Sequence, residues 1–118
     1  MKNILIILIL TLIFCGCNNL ETNNLNLTPE EILEIINQGN YIILDVRTKE
    51  EYETSHIKDS LNIPYDEINE AIELDKEKTI LVYCQSGRRS KIAFDTLEKL
   101  GYTVYDLGAY SSINLEKE

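Results

Sequence analysis

The chain has 118 residues, 44% of them apolar and 26% charged, and a net charge of −9 at pH 7. That length holds one domain, and the composition is that of a globular protein rather than a disordered one. So acidic a surface repels phosphate backbones and anionic lipid head groups, which argues against nucleic acid as a partner.

The chain opens with MKNILIILILTLIFCGC, where Lys2 supplies a positive start and Ile4 to Phe14 make an apolar core of 11 residues. A bilayer crossing takes about 20 residues, so this core has the length of a signal-peptide apolar region. Residues 1–17 therefore read as a targeting segment outside the fold. Phe14-Cys15-Gly16-Cys17 resembles a bacterial lipobox, with Cys17 as the lipidated residue and Phe14 where such boxes usually carry Leu. The expectation is an exported lipoprotein, anchored on a membrane of the bacterial cell envelope through its lipid. A plain secretory signal, giving a periplasmic or extracellular protein, and a short uncleaved anchor are the alternatives. Residues 18–26, rich in Asn, read as a tether.

The folded domain is expected over 27–115. Thr28-Pro29-Glu30-Glu31 is a capping box with Pro at the first helical position, and Gly39 is a natural stop for that helix. Tyr41 to Leu44 is a continuous apolar run, as in a strand buried on both faces. Thr48 to Glu51 repeats the capping box and opens a second short helix. Ser60 to Ile63 reads as a short strand ended by Pro64, and Asp66 to Ile72 as a helix with Ile68 and Ile72 on one face. Thr79 to Tyr83 is the strongest buried strand. Ser90 to Leu100 reads as an amphipathic helix closed by Gly101, and Thr103 to Tyr105 as a last strand. Strands alternating with helices over short links imply an α/β fold, a parallel sheet with helices on both faces.

Once Cys15 leaves with the leader and Cys17 carries lipid, Cys84 is the one thiol left, and no internal disulfide can form. Ligands of open parallel sheets bind beyond the carboxyl ends of the strands. Two such ends are polar here: Asp45-Val46-Arg47, and Cys84-Gln85-Ser86-Gly87-Arg88-Arg89. In the second, the chain leaves a strand at Cys84, turns, and enters a helix near Arg89. Backbone N–H groups of such a turn form an anion cradle. Together with the guanidinium groups they lower a thiol's pKa. Gly87 allows the backbone angles of a tight turn. Cys84 thus reads as a nucleophile with no histidine base, against the plainer reading of a small buried hydrophobe. Arg88 and Arg89 at a helix start oppose the helix dipole unless an anion is near. Asp45 and Arg47 read either as parts of the site or as a local ion pair with Glu50 or Glu51 that fixes the loop. His56, the sole histidine, is not paired with Cys84 on any sequence ground, and no residue cluster has metal-ligand or nucleotide-loop spacing.

The block LDVRTKEEYETSHIKDSLNIPY (Leu44 to Tyr65), followed by ILVYCQSGRRSKIAFDTLEKLGYTVYDLGAY (Ile80 to Tyr110), resembles the rhodanese-like domains. The resemblance runs from about Leu27 to Tyr110 and includes the D-V-R block and the C-x-x-G-x-R-S loop in order. It implies a single-domain sulfurtransferase without metal or organic cofactor. Its cysteine takes a sulfane sulfur from a small anion such as thiosulfate or a polysulfide, becomes a persulfide, and passes the sulfur to a thiol or cyanide. By position, Cys84 is the sulfur carrier, Gln85 to Arg89 form its loop with Arg89 closing it and Arg88 influencing donor choice, and Asp45 and Arg47 lie near the pocket. A monomer is expected. Ser55, Lys58 and Asp59 stand where many relatives have Gly, Pro and Gly, and the chain ends in SSINLEKE where many continue into a helix with an aromatic residue.

Three other functions compete. Dual-specificity phosphatases wrap phosphate with C-x5-R, whereas Arg89 here gives C-x4-R, a shorter cradle that suits sulfur better. Thiol–disulfide exchange prefers a second, resolving cysteine. A non-enzymatic rhodanese-like module that binds a partner or senses redox state is the remaining alternative.

Overall fold

The computed structural model describes residues 27–118. The targeting segment, the tether and Cys17 lie outside the described residues. Among the described residues no helix is long and apolar enough to cross a membrane.

Helix α1 (Pro29–Gln38) starts at the Thr28 capping box, where the Thr28 hydroxyl accepts the Glu31 N–H and the Glu31 carboxylate accepts the Thr28 N–H. Strand β1 (Tyr41–Asp45) leads through Val46 and Arg47 to α2 (Lys49–Thr54), which the Thr48 box caps in the same way. Strand β2 (Leu61–Asn62) is short: the Ile63 N–H still bonds the Asp45 carbonyl, but Pro64, which follows, has no N–H to carry the pairing on. Strand β3 (Thr79–Cys84), helix α3 (Arg88–Lys99) and strand β4 (Thr103–Ala109) complete the domain. The described strands form one parallel sheet in the order β2-β1-β3-β4, the α/β architecture the alternating pattern predicts.

Successive residues of β3 face opposite sides of the sheet. Ile80, Val82 and Cys84 meet Leu44, Val46 and Val104 beneath Ala93, Phe94 and Leu97 of α3. Leu81 and Tyr83 meet Ile43, Ile57 and Ile113 on the other side, with Ile35 and Ile36 of α1 against them. Each such fully buried aliphatic side chain contributes about 1.5–3 kcal/mol through removal from water.

Two predicted elements differ. The helix expected over 66–72 is only a 3₁₀ turn, Tyr65–Glu67. The Asn69 side chain there accepts the Ala71 N–H at 2.7 Å, a local bond that competes with helical pairing. The last strand runs on to Ala109, because a bulge lets pairing resume: Val82 lies opposite Asp106 and Tyr83 opposite Gly108, leaving Leu107 as the extra residue. Beyond it, Tyr110–Ser112 form a 3₁₀ turn and Ile113 is buried. The tail then runs antiparallel to residues 56–58, with His56 and Glu118 exchanging both backbone bonds at 2.9 and 2.8 Å. Asp59 takes a left-handed φ of 65°, the conformation for which Asp is one of the tolerated residues.

Candidate active site

Cys84 is the last residue of β3 and has no exposed surface. Gly87 N–H donates to its Sγ at 3.0 Å, so the chain from Cys84 to Gly87 curls around the sulfur. Gly87 caps α3 with φ 99°, a left-handed value that a side chain strains to adopt. A Cβ there would touch Ala109 N and Gly108 Cα at 4.0 Å, so the turn rests against the bulge of β4. Ser90, one turn into α3, is buried and its hydroxyl donates to the Gly87 carbonyl at 3.1 Å. Burial pushes the Cys84 thiol up, but the Ser90 hydroxyl and the backbone N–H groups of Ser90, Gly87 and Ser86 outweigh it. The net pKa lies below the ordinary thiol value.

The cations are arranged differently from the sequence expectation. Arg89 holds Glu51 of α2 with both terminal nitrogens, at 2.8 and 3.0 Å. Its charge is felt by a Cys84 thiolate, yet hydrogen-bond donors lead the depression of the thiol pKa, not guanidinium groups. Glu51 in turn is lowered to about 2, chiefly by Arg89, against burial, with help from the Thr48 N–H and hydroxyl. Gln85, Ser86 and Arg88 are exposed at the rim.

Asp45 and Arg47 form a buried ion pair with each other, not with Glu50 or Glu51. The Arg47 guanidinium reaches Asp45 Oδ2 at 2.6 Å, the Ser55 carbonyl at 2.6 Å and Gln85 Oε1 at 3.1 Å. It lies over the Tyr110 ring, 4.4 Å from the centroid. Burial opposes its charge, but the Asp45 carboxylate more than offsets this. Tyr83 donates to the same carboxylate at 2.6 Å; burial and that bond push its phenol up, so it remains a donor. Asp45 is consumed by Arg47 and Tyr83, and it reaches the Cys84 loop only through Arg47 and Gln85. His56 stacks on Tyr52 at 3.8 Å and its Nδ1 bonds the Tyr52 carbonyl, which ties it to α2.

Three residues at the site went unassigned in the sequence reading. Glu51 follows from its capping box only in part, since its second partner comes from α3. Ser90 closes the quoted C-x-x-G-x-R-S loop. Asp106 is buried on β4, its Oδ1 accepting the Gly108 N–H at 2.8 Å. Its signal was an acid at an inward position of an apolar strand. Among the described residues no His, Cys, Asp or Glu cluster could hold a metal ion. Taken together, the arrangement can hold one sulfur anion on hydrogen-bond donors, with an arginine nearby and no base beside it.

The family model for the rhodanese-like domain matches residues 28–115. A thiosulfate sulfurtransferase, PspE of Escherichia coli K12, is 38% identical over 78 residues, covering 63% of this chain and 75% of that protein. Thiosulfate sulfurtransferase GlpE of Coxiella burnetii is 35% identical over 79 residues, covering 65% of this chain and 74% of that one. The solved structure of a rhodanese with anions from E. coli aligns with a TM-score of 0.61 at 36% identity, covering 66% of this chain and 96% of that chain.

Proposed function

We propose, for a chain that belongs to the rhodanese-like domain family, the reaction of a sulfurtransferase with Cys84 as its sulfur carrier. The Cys84 thiolate attacks the sulfane sulfur of a small anionic donor such as thiosulfate or a polysulfide. A sulfur–sulfur bond forms at Cys84, the donor's bond to that sulfur breaks, and sulfite or the shortened polysulfide leaves with the electron pair. A thiol or cyanide acceptor then attacks the outer sulfur of the persulfide and the thiolate returns. The two transfers balance without an outside oxidant or reductant.

The observation that carries this reading is the Cys84 sulfur held by the Gly87 N–H at 3.0 Å, in a turn whose donors favour its anion. A base is not required when the thiol titrates below its ordinary value. The named activity of the relatives points the same way. Arg88 and Ser86, exposed at the rim, are the groups an incoming anion meets first.

The test is the intact mass of the protein before and after incubation with thiosulfate. One added sulfur, lost on treatment with cyanide and absent from Cys84→Ser, is the expected result. No sulfur added from thiosulfate or polysulfide overturns the reaction and leaves a binding or redox-sensing module, a reading that the full burial of Cys84 also suits. The proposal extends to location: residues 1–17 export the protein and Cys17 carries its lipid, on the strength of the apolar run and the lipobox-like end. Labelled palmitate should enter the wild type and not Cys17→Ala; equal labelling would sink that part alone.

A further inference from the structure

The turn that holds the Cys84 sulfur is anchored at both ends. Cys84 is buried at the end of β3, opposite Ala109, and Gly87 is fixed by the Ser90 hydroxyl and by the bulge of β4. Gln85 and Ser86, between them, are exposed. Among the described residues, one side-chain hydrogen bond ties either of them to the rest of the domain: Arg47 Nη1 donates to Gln85 Oε1 at 3.1 Å. Arg47 is itself 3% exposed. Its other side-chain nitrogens are taken by Asp45 of β1, at 2.6 to 3.0 Å, and by the carbonyl of Ser55, the C-cap of α2, at 2.6 Å. The Tyr110 ring covers the guanidinium at 4.4 Å, and Tyr110 and Ser55 share a hydrogen bond of 2.6 Å beside it. A guanidinium held from all these sides does not follow a moving side chain, so Gln85 has to come to it.

We propose that Arg47 is a positioning residue for the Cys84 turn, acting through the Gln85 carboxamide, which it holds against β1 and the end of α2. A guanidinium has donors and no acceptor, so the carboxamide presents its oxygen to Arg47 and turns its NH2 group away. The bond is charge-assisted and stronger than a neutral one, which offsets the entropy lost in ordering an exposed glutamine. Its effect is geometric. The Gly87 N–H meets the sulfur at 3.0 Å only while the turn keeps its curl, and donors fixed in advance stabilise charge better than donors that must reorganise. Arg89, bound to Glu51, holds the helix side of the turn, and Arg47 holds the strand side. Both ties lead to α2, one through Glu51 in its first turn and one through Ser55 at its end. The consequence for turnover rests on the sulfurtransferase reading: a sulfur kept in one place loses less rate to misalignment with its donor.

Removing Arg47 would leave the Asp45 carboxylate buried and unpaired, so the test is made at the exposed end of the bond. Gln85→Met keeps the length of the side chain and loses the bond, whereas Gln85→Glu keeps an oxygen for Arg47 and loses the NH2 group. Two quantities are measured on the full chain: hydrogen exchange of the peptide from Cys84 to Arg89, read by mass, and kcat and KM for sulfur transfer from thiosulfate to cyanide. In Gln85→Met the peptide should exchange about tenfold faster, and kcat should fall about tenfold with KM within about twofold of wild type. Gln85→Glu should exchange as slowly as wild type, while its charge raises the KM for the anionic donor. Wild-type exchange in Gln85→Met overturns the proposal, as does exchange in Gln85→Glu as fast as in Gln85→Met. A raised KM with unchanged kcat in Gln85→Met also overturns it and makes Gln85 a direct contact of the donor. Gln85→Leu serves if the Met variant does not fold. A wild type that takes up no sulfur while the exchange pattern holds overturns the sulfurtransferase reading and supports the tie.

Discussion

The Glu51 carboxylate accepts from the Thr48 N–H and hydroxyl at the start of α2, and from both terminal nitrogens of Arg89 in α3. One residue therefore caps a helix and holds the arginine of the Cys84 loop. Its folded pKa is lowered from 4.5 to about 2. A depressed carboxylate contributes stability that is present above its unfolded pKa and is lost as the pH falls through the folded one. Urea unfolding should accordingly show wild type more stable than Glu51→Gln at neutral pH, with the gap closing between pH 4.5 and about 2. A gap constant across that range would mean that the ion pair contributes nothing. At this scale Cys84, Gly87 and the loop were legible in the sequence because their chemistry belongs to the residue type and its immediate neighbours. The Asp45–Arg47 pair was half legible: the charges were visible, but each has several possible partners within reach, and burial of Asp45 beside Tyr83 decides among them.

Helices α1 and α2 open with the same device, a threonine and a glutamate three residues later, and both boxes close in the structure. Their consequences differ with position. Thr28→Ala and Thr48→Ala should each cost about 1 kcal/mol of stability from a lost N-cap. Only Thr48→Ala should also move the pH profile of Cys84 alkylation, since it releases one of the groups that orients Glu51 toward Arg89. Equal thiol profiles in the two variants would show that the α2 cap is uncoupled from the loop. Apolar spacing located most elements but overran at 66–72, where Asn69 satisfies the backbone locally, and fell short at β4, where the bulge at Leu107 carries the strand on to Ala109. Neither event leaves a periodic signal, because each depends on one side chain or one displaced residue.

The sheet divides the molecule into two cores, with α3 over one face and α1 with the C-terminal tail over the other. Ile113 anchors that tail, 5% exposed, against Ile43, Ile57, Leu81 and Tyr83. Ile113→Ala should cost about 2–4 kcal/mol, as buried isoleucine truncations do, measured by urea unfolding; a loss well under 1 kcal/mol would mean that the tail is dispensable to the core. The tail, its pairing with residues 56–58 and the Tyr110 ring under Arg47 had no counterpart in the sequence reading, since SSINLEKE carries too few apolar residues to announce a buried segment. The sequence by itself determined the α/β class, the order of strands and helices, and a cysteine at the start of a glycine-hinged, arginine-bearing turn. Those features follow from local periodicity, capping and the conformational range of single residues. Only the tertiary structure decided that Arg89 answers to Glu51, that Arg47 is locked to Asp45, and that Asp106 shares the face of the sheet on which Cys84 lies. Hydrogen bonds and ion pairs act over a few ångströms in space, and the sheet register brings together residues that are tens of positions apart along the chain.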